Sequence, residues 1–168
     1  MPKESRPTNQ IVRESLTEAL FQLMDSKHFE DSSITELTRR AGVGRVSFYR
    51  NFNSKEDILM SYLDGKAGEW WEAIQQEEKP DVILSLFRHF AGLERPIKLL
   101  YKAGLSHLLL RNIQNCCGPK PMQPNTLAYW NAWLAGGLFG WVDEWVKRGM
   151  QESPEEMARL VASVSQGK

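Results

Sequence analysis

A chain of 168 residues, 42 % apolar and 25 % charged, is long enough for one globular domain or for two small ones that share a core. Its formal net charge is zero, which excludes a uniformly basic protein, so a nucleic-acid partner would have to be recognised by local charge. The longest apolar run, residues 127–142, is shorter than the roughly 20 residues of a membrane span, and residues 1–10 lack the apolar core of a signal peptide.

The first half of the chain carries three separate helix signals. Apolar residues recur at helical spacing over residues 12–23 and predict a first helix. The capping box Ser33–Glu36 opens a short second helix, and Gly42 suits the left-handed position just past its end. Ser54–Asp57 has the same capping form and opens a longer helix.

The second half also shows only helical patterns. Apolar stripes over residues 82–90 and 105–113 predict helices, and the proline- and glycine-rich stretch 115–124 predicts a loop. A long helix is expected from residue 125 to the basic residues and glycine at 147–149, and the capped stretch Ser153–Glu156 starts the last one. The prediction is therefore an all-α protein of about nine helices.

Residues 33–52 form a helix-turn-helix by pattern: a capped helix, a glycine turn and a second short helix. Phe48 and Phe52 lie four residues apart, so they share one face and can pack on Leu37. The alternative is a small helical hairpin with a solvated basic face. A short helix does not persist alone in water, so the buried aromatic pair is what would hold it and leave the other face free.

The free face of the second helix is cationic. Between Leu37 and Lys55 every charged residue is Lys or Arg. Arg45 is placed to donate to guanine and Val46 to touch a thymine methyl, whereas hydroxyl, amide and ammonium groups suit phosphate. The predicted DNA-binding set is Ser33, Thr35, Gly44, Arg45, Val46, Ser47, Tyr49, Arg50, Asn51 and Lys55.

At this point the sequence resembles a known family. Residues 33–59, SITELTRRAGVGRVSFYRNFNSKEDIL, resemble the N-terminal signature of the TetR-type transcriptional regulators. Two positions depart from the usual signature, because the family often has a small polar residue at Gly44 and glycine at Val46. Residues 129–161 resemble the last two helices of the family, which build its dimer.

The resemblance implies a fold and a function. The expected architecture is a three-helix DNA-binding domain at residues 1–53 and a helical effector-sensing and dimerisation domain at residues 54–168. The protein is expected to be a ligand-responsive homodimer that represses transcription by binding a palindromic operator in double-stranded DNA. A small-molecule or protein effector is expected to release it from that operator. The alternatives are an activator and a helical adaptor that binds only protein.

The predicted long helix combines four tryptophans with three glycines. Glycine in a helix costs roughly 1 kcal/mol against alanine, so three of them indicate a close approach by another helix. A two-fold interface is the preferred interpretation, and an internal core helix is the alternative. The predicted interface residues are Trp133, Gly137, Trp141, Trp145, Met157, Leu160 and Val161.

An effector pocket is expected between the linking helix and the middle of the chain. Aromatic side chains with a few polar tips are the usual lining of such a site, although plain core packing is the alternative for each of them. The predicted lining is Trp70, Trp71, Phe87, Phe90, Tyr101, His107 and Trp130.

No pattern in the sequence indicates catalysis or a bound cofactor. The catalytic motifs GxSxG and HExxH, the phosphate-binding glycine loop and the CxxC pair are all missing. The only cysteines, Cys116 and Cys117, are adjacent, which is poor geometry for a disulfide and the wrong spacing for a metal. We therefore expect no enzyme, metal or cofactor, and a reducing cytoplasm. A redox sensor at these cysteines is an alternative that requires a lowered thiol pKa.

Overall fold

The computed structural model describes the backbone of residues 6–165 and the side chains of residues 9–164. Within that part the chain forms nine α-helices and no strand, which confirms the all-α prediction. The helices are α1 (Arg6–Ser26), α2 (Ile34–Arg40), α3 (Arg45–Asn51), α4 (Lys55–Gln75), α5 (Val82–Gly92), α6 (Glu94–Lys102), α7 (Ser106–Cys117), α8 (Asn125–Lys147) and α9 (Pro154–Ser165). Across the described residues, no helix is both long and apolar enough to cross a membrane.

The chain divides into two compact units. Unit 1 is Met1–Leu63 and unit 2 is Asp64–Lys168. The division falls within α4, whereas the boundary expected from the sequence, between residues 53 and 54, falls just before that helix. That boundary stays a prediction.

Unit 1 is built by packing α1, α2 and α3 on one another. Its core consists of side chains that the helical spacing of the sequence had placed inward. Leu16, Leu20, Leu37, Phe48 and Ile58 are completely buried. Each buried side chain of this size stabilises the unit by roughly 1.5–3 kcal/mol relative to exposure.

The predicted N-cap and the left-handed glycine of α2 both form, but only half of the predicted capping box does. The backbone N–H of Glu36 donates to Ser33 Oγ at 3.1 Å, and Gly42 follows the helix with a left-handed φ of +68°. The carboxylate of Glu36 forms an ion pair with Lys27 rather than closing the capping box. Gly44, with an extended φ of −78°, is the N-cap of α3.

Arg13 ties α1 to the end of α3 and to the start of α4. Its guanidinium lies 4.5 Å from the centroid of the Phe52 ring. The same group donates to the carbonyl oxygen of Asn51 at 3.3 Å and to Ser61 Oγ. One half-buried cation thus fixes the position of three elements in unit 1.

Unit 2 is held by the packing of α5 on α9 and of α7 on α8. Phe87 of α5 meets Trp145 of α8 edge to face, with ring centroids 5.5 Å apart. The last helix opens with a complete capping box, in which the Ser153 N–H donates to Glu156 Oε2 at 2.7 Å and the Glu156 N–H donates to Ser153 Oγ at 3.2 Å. The long helix predicted from residue 125 is α8, and Gly149 follows its end with a φ of +87°.

The loop before α8 is shorter than the sequence predicts. Helix α7 continues to Cys117, so the loop covers residues 118–124 rather than 115–124. The helix ends where Gly118 takes an extended backbone, because a proline, here Pro119, disfavours the α conformation of the residue before it. Both cysteines therefore lie in the last turn of α7.

The two glycines of the α2–α3 turn predict different responses to alanine. Gly42→Ala should lower the free energy of unfolding by about 1–2 kcal/mol, because an L-residue is strained at φ +68°. Gly44→Ala is the matched control, because Gly44 has a negative φ and a Cβ added there meets nothing within 4 Å. Its free energy of unfolding should fall by only about 0.5 kcal/mol, since alanine is a weaker N-cap residue than glycine. Urea unfolding of both variants measures the difference. Equal losses of unfolding free energy in the two variants would contradict the idea that the left-handed conformation at Gly42 requires glycine.

Candidate nucleic-acid interface and effector cavity

Helix α3 is held in unit 1 by one aromatic face. Phe48 is fully buried and Phe52 nearly so, with ring centroids 6.3 Å apart. Tyr49 meets the edge of the Phe48 ring at 5.1 Å. A helix of seven residues depends on such packing, since its own hydrogen bonds do not keep it folded in water.

The opposite face of α3 is exposed and cationic. Arg45 and Arg50 are exposed, and no acidic residue lies in the helix. Val46 is 66 % exposed and Tyr49 is 52 % exposed, so both side chains are accessible to a partner. Because a single α-helix fits the major groove of DNA, this face has the shape and the charge of a groove-reading surface.

Asn51 is turned towards the protein. Its Nδ2 donates to the carbonyl oxygen of Ser47 at 2.8 Å, one turn earlier in α3, and its Oδ1 is buried. The amide nitrogen is therefore bonded inside unit 1, and the buried oxygen cannot donate to a phosphate.

Lys55 is also bonded inside unit 1. Its Nζ donates to the carbonyl oxygen of Ser32 at 2.7 Å, to Ser32 Oγ at 3.0 Å and to the carbonyl oxygen of Phe29. The ammonium lies 4.2 Å from the centroid of the Phe29 ring, and burial lowers the pKa of Lys55. An ammonium has three donors, and three protein oxygens take them. Lys55 thus fastens the α1–α2 loop to the start of α4.

The predicted DNA-binding set therefore separates into two groups. The amide of Asn51 and the ammonium of Lys55 are bonded inward, Ser47 is half-buried, and Gly44 caps α3 through its backbone. The exposed members are Ser33, Thr35, Arg45, Val46, Tyr49 and Arg50.

Unit 2 contains a cavity of about 570 Å³. That volume lies in the range of about 300–1,000 Å³ that is usual for small-molecule sites. Four helices, α4, α5, α7 and α8, contribute its lining, which is mostly apolar. The lining residues are Asp64, Ala67, Gly68, Trp70, Trp71, Val82, Ile83, Leu86, His89, Phe90, Asn112, Ile113, Asn115, Cys116, Cys117, Leu134 and Leu138.

Three of the seven predicted pocket residues, Trp70, Trp71 and Phe90, line this cavity. The other four have different positions for identifiable reasons. Phe87 is buried against Trp145, and the Tyr101 hydroxyl donates to Asp143 at 2.7 Å. His107 is exposed, and Trp130 packs on Trp133 with ring centroids 4.9 Å apart on the outside of α8. These four residues do not line the cavity.

The polar residues of the lining, among them Asp64, Asn112 and Asn115, are absent from the predicted pocket set. A signal was available in α4, where Asp64, Ala67, Gly68 and Trp71 follow the spacing i, i+3, i+4 and i+7 of one helical face. Because charged Asp64 and aromatic Trp71 share this face of α4, the face is amphipathic and is not expected to be core.

No cation is expected in the lining at neutral pH. Burial lowers the pKa of His89 to about 4, and the His89 ring lies 5.6 Å from that of Trp70. The thiols are not activated either, because burial raises the pKa of Cys116 and of Cys117. Raised pKa values do not favour the redox-sensor alternative, which requires a thiolate. Among the described residues, no three His, Cys, Asp or Glu side chains are grouped to hold a metal.

Helix α8 presents a separate face to solvent. We call Trp130, Trp133, Gly136, Gly137 and Gly140 the glycine–tryptophan face. Both tryptophans are more than half exposed, and a Cβ added at any of the three glycines meets nothing within 4 Å. An exposed aromatic and backbone surface of this kind is typical of an interface with another helix.

The predicted interface set also needs a correction. Trp145 and Met157 are 2 % and 4 % exposed, so they belong to the core of unit 2 and have no surface to offer a partner. Trp141 and Val161 are half-buried. Trp133, Gly137 and Leu160 are the exposed members of the set.

Two protein-family models match the chain. One, described as bacterial regulatory proteins of the tetR family, covers residues 16–61, and the other, a transcriptional regulator C-terminal region, covers residues 94–167. The first match lies within unit 1 and the second within unit 2. The helix-turn-helix and the last two helices both lie inside these matches.

Two curated proteins are similar over part of their length. The chain is 31 % identical over 62 residues to the HTH-type transcriptional regulator EthR of Mycolicibacterium smegmatis, which is 37 % of this chain and 29 % of that protein. It is 25 % identical over 97 residues to the fatty acid metabolism regulator protein of Bacillus subtilis, which is 54 % of this chain and 48 % of that protein. The matched segments thus span less than half of either relative.

The fold is also found in a solved structure. The fatty acid degradation regulator FadR from Bacillus halodurans aligns with a TM-score of 0.52 over 96 % of both chains, at 18 % sequence identity. Similarity at that identity concerns the fold alone. The two family models, one on the helix-turn-helix and one on the C-terminal helices, lead to one conclusion: the chain belongs to the TetR family of transcriptional regulators.

Proposed function

We propose that this protein is a ligand-responsive, sequence-specific DNA-binding regulator that represses transcription until an effector releases it from its operator. The observation that carries the proposal is α3, a cationic helix held by buried Phe48 with Arg45, Val46 and Tyr49 exposed. Membership of a regulator family supports this role over that of an enzyme or a protein-binding adaptor. The cytoplasm, where a bacterial operator lies, is the proposed compartment.

DNA contact is assigned to the exposed groups of α2 and α3. Arg45 donates to the O6 and N7 atoms of guanine, and Val46 packs on a thymine methyl group. The hydroxyl groups of Ser33, Thr35 and Tyr49 donate to phosphate, which positions the helix without reading sequence.

A homodimer brings two copies of α3 to one operator. The glycine–tryptophan face of α8, with Leu160 of α9, is the surface that meets the second copy. Removing this exposed aromatic area from water favours association, and the glycines allow the helices to approach closely. The two α3 helices then need a separation of about 34–36 Å to enter successive major grooves of a palindromic site.

The cavity of unit 2 is the proposed effector site. Leu134 and Leu138 of α8 line it, and the same helix carries the glycine–tryptophan face. An effector that prefers one position of α8 therefore changes the separation of the DNA-binding helices and weakens operator binding by its differential affinity. A small molecule fits the volume, whereas a protein effector would have to act elsewhere on the surface.

The first test concerns base reading. Arg45→Ala should relax base preference at the position it reads, at a cost of roughly 1–3 kcal/mol, because alanine cannot donate two hydrogen bonds to guanine. Tyr49→Phe is the control, since removing a phosphate-binding hydroxyl weakens binding to all sequences alike. Selection of sites from a random DNA pool measures both. An unchanged consensus for Arg45→Ala would remove this residue from the base-reading set.

The second test separates structural from phosphate-binding cations. Lys55→Met should lower the free energy of unfolding by about 1–3 kcal/mol, because three oxygens lose their donor. The slope of log affinity against log salt should not change, whereas a phosphate-binding cation removed from each subunit would reduce its magnitude by roughly 2. Denaturant unfolding and DNA binding at several salt concentrations give the two values. A smaller slope with full stability would assign Lys55 to phosphate.

The third test concerns the dimer. Gly137→Arg places a charge in the proposed interface without a partner, so light scattering should show a monomer. Operator affinity should fall as well, because each half-site is then held independently. Gly65→Arg is the matched control: it is also a helical glycine with open space beside it, but it lies on α4. A dimer of undiminished strength in Gly137→Arg would place the interface on another surface.

A further inference from the structure

The charge of the cavity lining in unit 2 restricts its ligand, if the cavity is the effector site as proposed above. Neither Lys nor Arg is among the described lining residues. His89 is neutral at pH 7, since burial lowers its pKa to about 4. Within the described lining, Asp64 is therefore the one residue with a formal charge at that pH.

The Asp64 carboxylate is held in place by a buried partner. Asn112 is only 3 % exposed, and its Nδ2 donates to Asp64 Oδ1 at 2.7 Å. The amide of Asn115 lies 3.4 Å from both carboxylate oxygens. A carboxylate offers about four acceptor positions, so its oxygens retain capacity for a donor on a ligand. The amide donors fix the orientation of the group and do not neutralise its charge.

Two indole rings, also carried by α4, line the same cavity as this carboxylate. Trp70 and Trp71 have ring centroids 6.1 Å apart at an interplanar angle of 52°. The Trp70 Nε1 donates to Ser85 Oγ at 3.0 Å, so its polar atom is already satisfied and its ring is what it offers to a ligand. Trp71 is 52 % exposed and Asp64 is exposed as well, and at exposed sites aromatic faces attract organic cations by about 0.5–1 kcal/mol.

We propose that the cavity binds an organic cation: an apolar or aromatic body in the lining, with a protonated amine or quaternary ammonium group at Asp64. Carboxylate and phosphate ligands are disfavoured, because they bring a second negative charge to Asp64 and find no cation in the described lining to offset it. The apolar lining supplies affinity for the body, and the carboxylate with the two indoles supplies selectivity for the head group.

Three probes with the same ten-carbon body and different heads test this proposal: decyltrimethylammonium, decan-1-ol and decanoate. Calorimetric titration of the full chain at pH 7, below the concentration at which each probe forms micelles, gives the three affinities. The ammonium should bind most tightly and decanoate most weakly, with a ratio on the order of tenfold or more between them.

Two variants locate the selectivity. Asp64→Asn keeps the size of the side chain and should weaken ammonium binding roughly five- to tenfold while decanol binding stays the same. Glu72→Gln removes the same charge from the same helix outside the lining and should leave all three affinities unchanged. Circular dichroism verifies that both variants are folded.

The outcomes distinguish the ligand class from the proposed function. Equal or tighter binding of decanoate, an unchanged ratio in Asp64→Asn, or no binding of any probe would each overturn the organic-cation proposal. Retention of DNA in a shift assay at low salt is measured separately on the same preparation. If the protein retains DNA but fails the probe test, only the organic-cation proposal is overturned. If it discriminates the probes but never retains DNA, only the proposed DNA-binding function is overturned.

Discussion

Burial of Phe48 is the interaction on which the proposed DNA-binding surface of this protein depends. Helix α3 has only seven residues and lacks a side-chain N-cap hydrogen bond, so its own backbone does not keep it folded. Phe48 has no exposed surface, and Phe52 follows one turn later with 4 %. This anchored face allows Arg45 and Val46 to stand in solvent in a fixed orientation, as selective recognition of base edges requires.

The fixed orientation is reinforced by two cations that face inward. Arg13 lies over the Phe52 ring and donates to the end of α3, and Lys55 ties the α1–α2 loop to α4. Every charged residue between Leu37 and Lys55 is basic, so charge alone does not identify which of them contact DNA. Arg13 and Lys55 are bonded to carbonyl oxygens and stabilise unit 1, whereas Arg45 is exposed.

Residues of helix α8 contribute to three different surfaces. Ala135, Val142 and Trp145 are buried in unit 2, and Leu134 with Leu138 line the cavity. The glycine–tryptophan face is exposed. The proposed effector cavity and the proposed dimer face share this one helix, so a ligand that displaces the helix at the cavity would also displace it at the dimer face.

The sequence by itself determined those features of the fold that depend only on residues close together in the chain. Capping by Ser33 and Ser153, the left-handed turn at Gly42 and the helical fold follow from local chemistry and period. Tertiary structure alone decided which partner a side chain has. Lys55 turned inward because oxygens of the distant α1–α2 loop surround it, and Trp145 became core because Phe87 packs on it. Asp64 came to the cavity because the buried Asn112 of α7 holds it there, a pairing across 48 positions that no local pattern encodes.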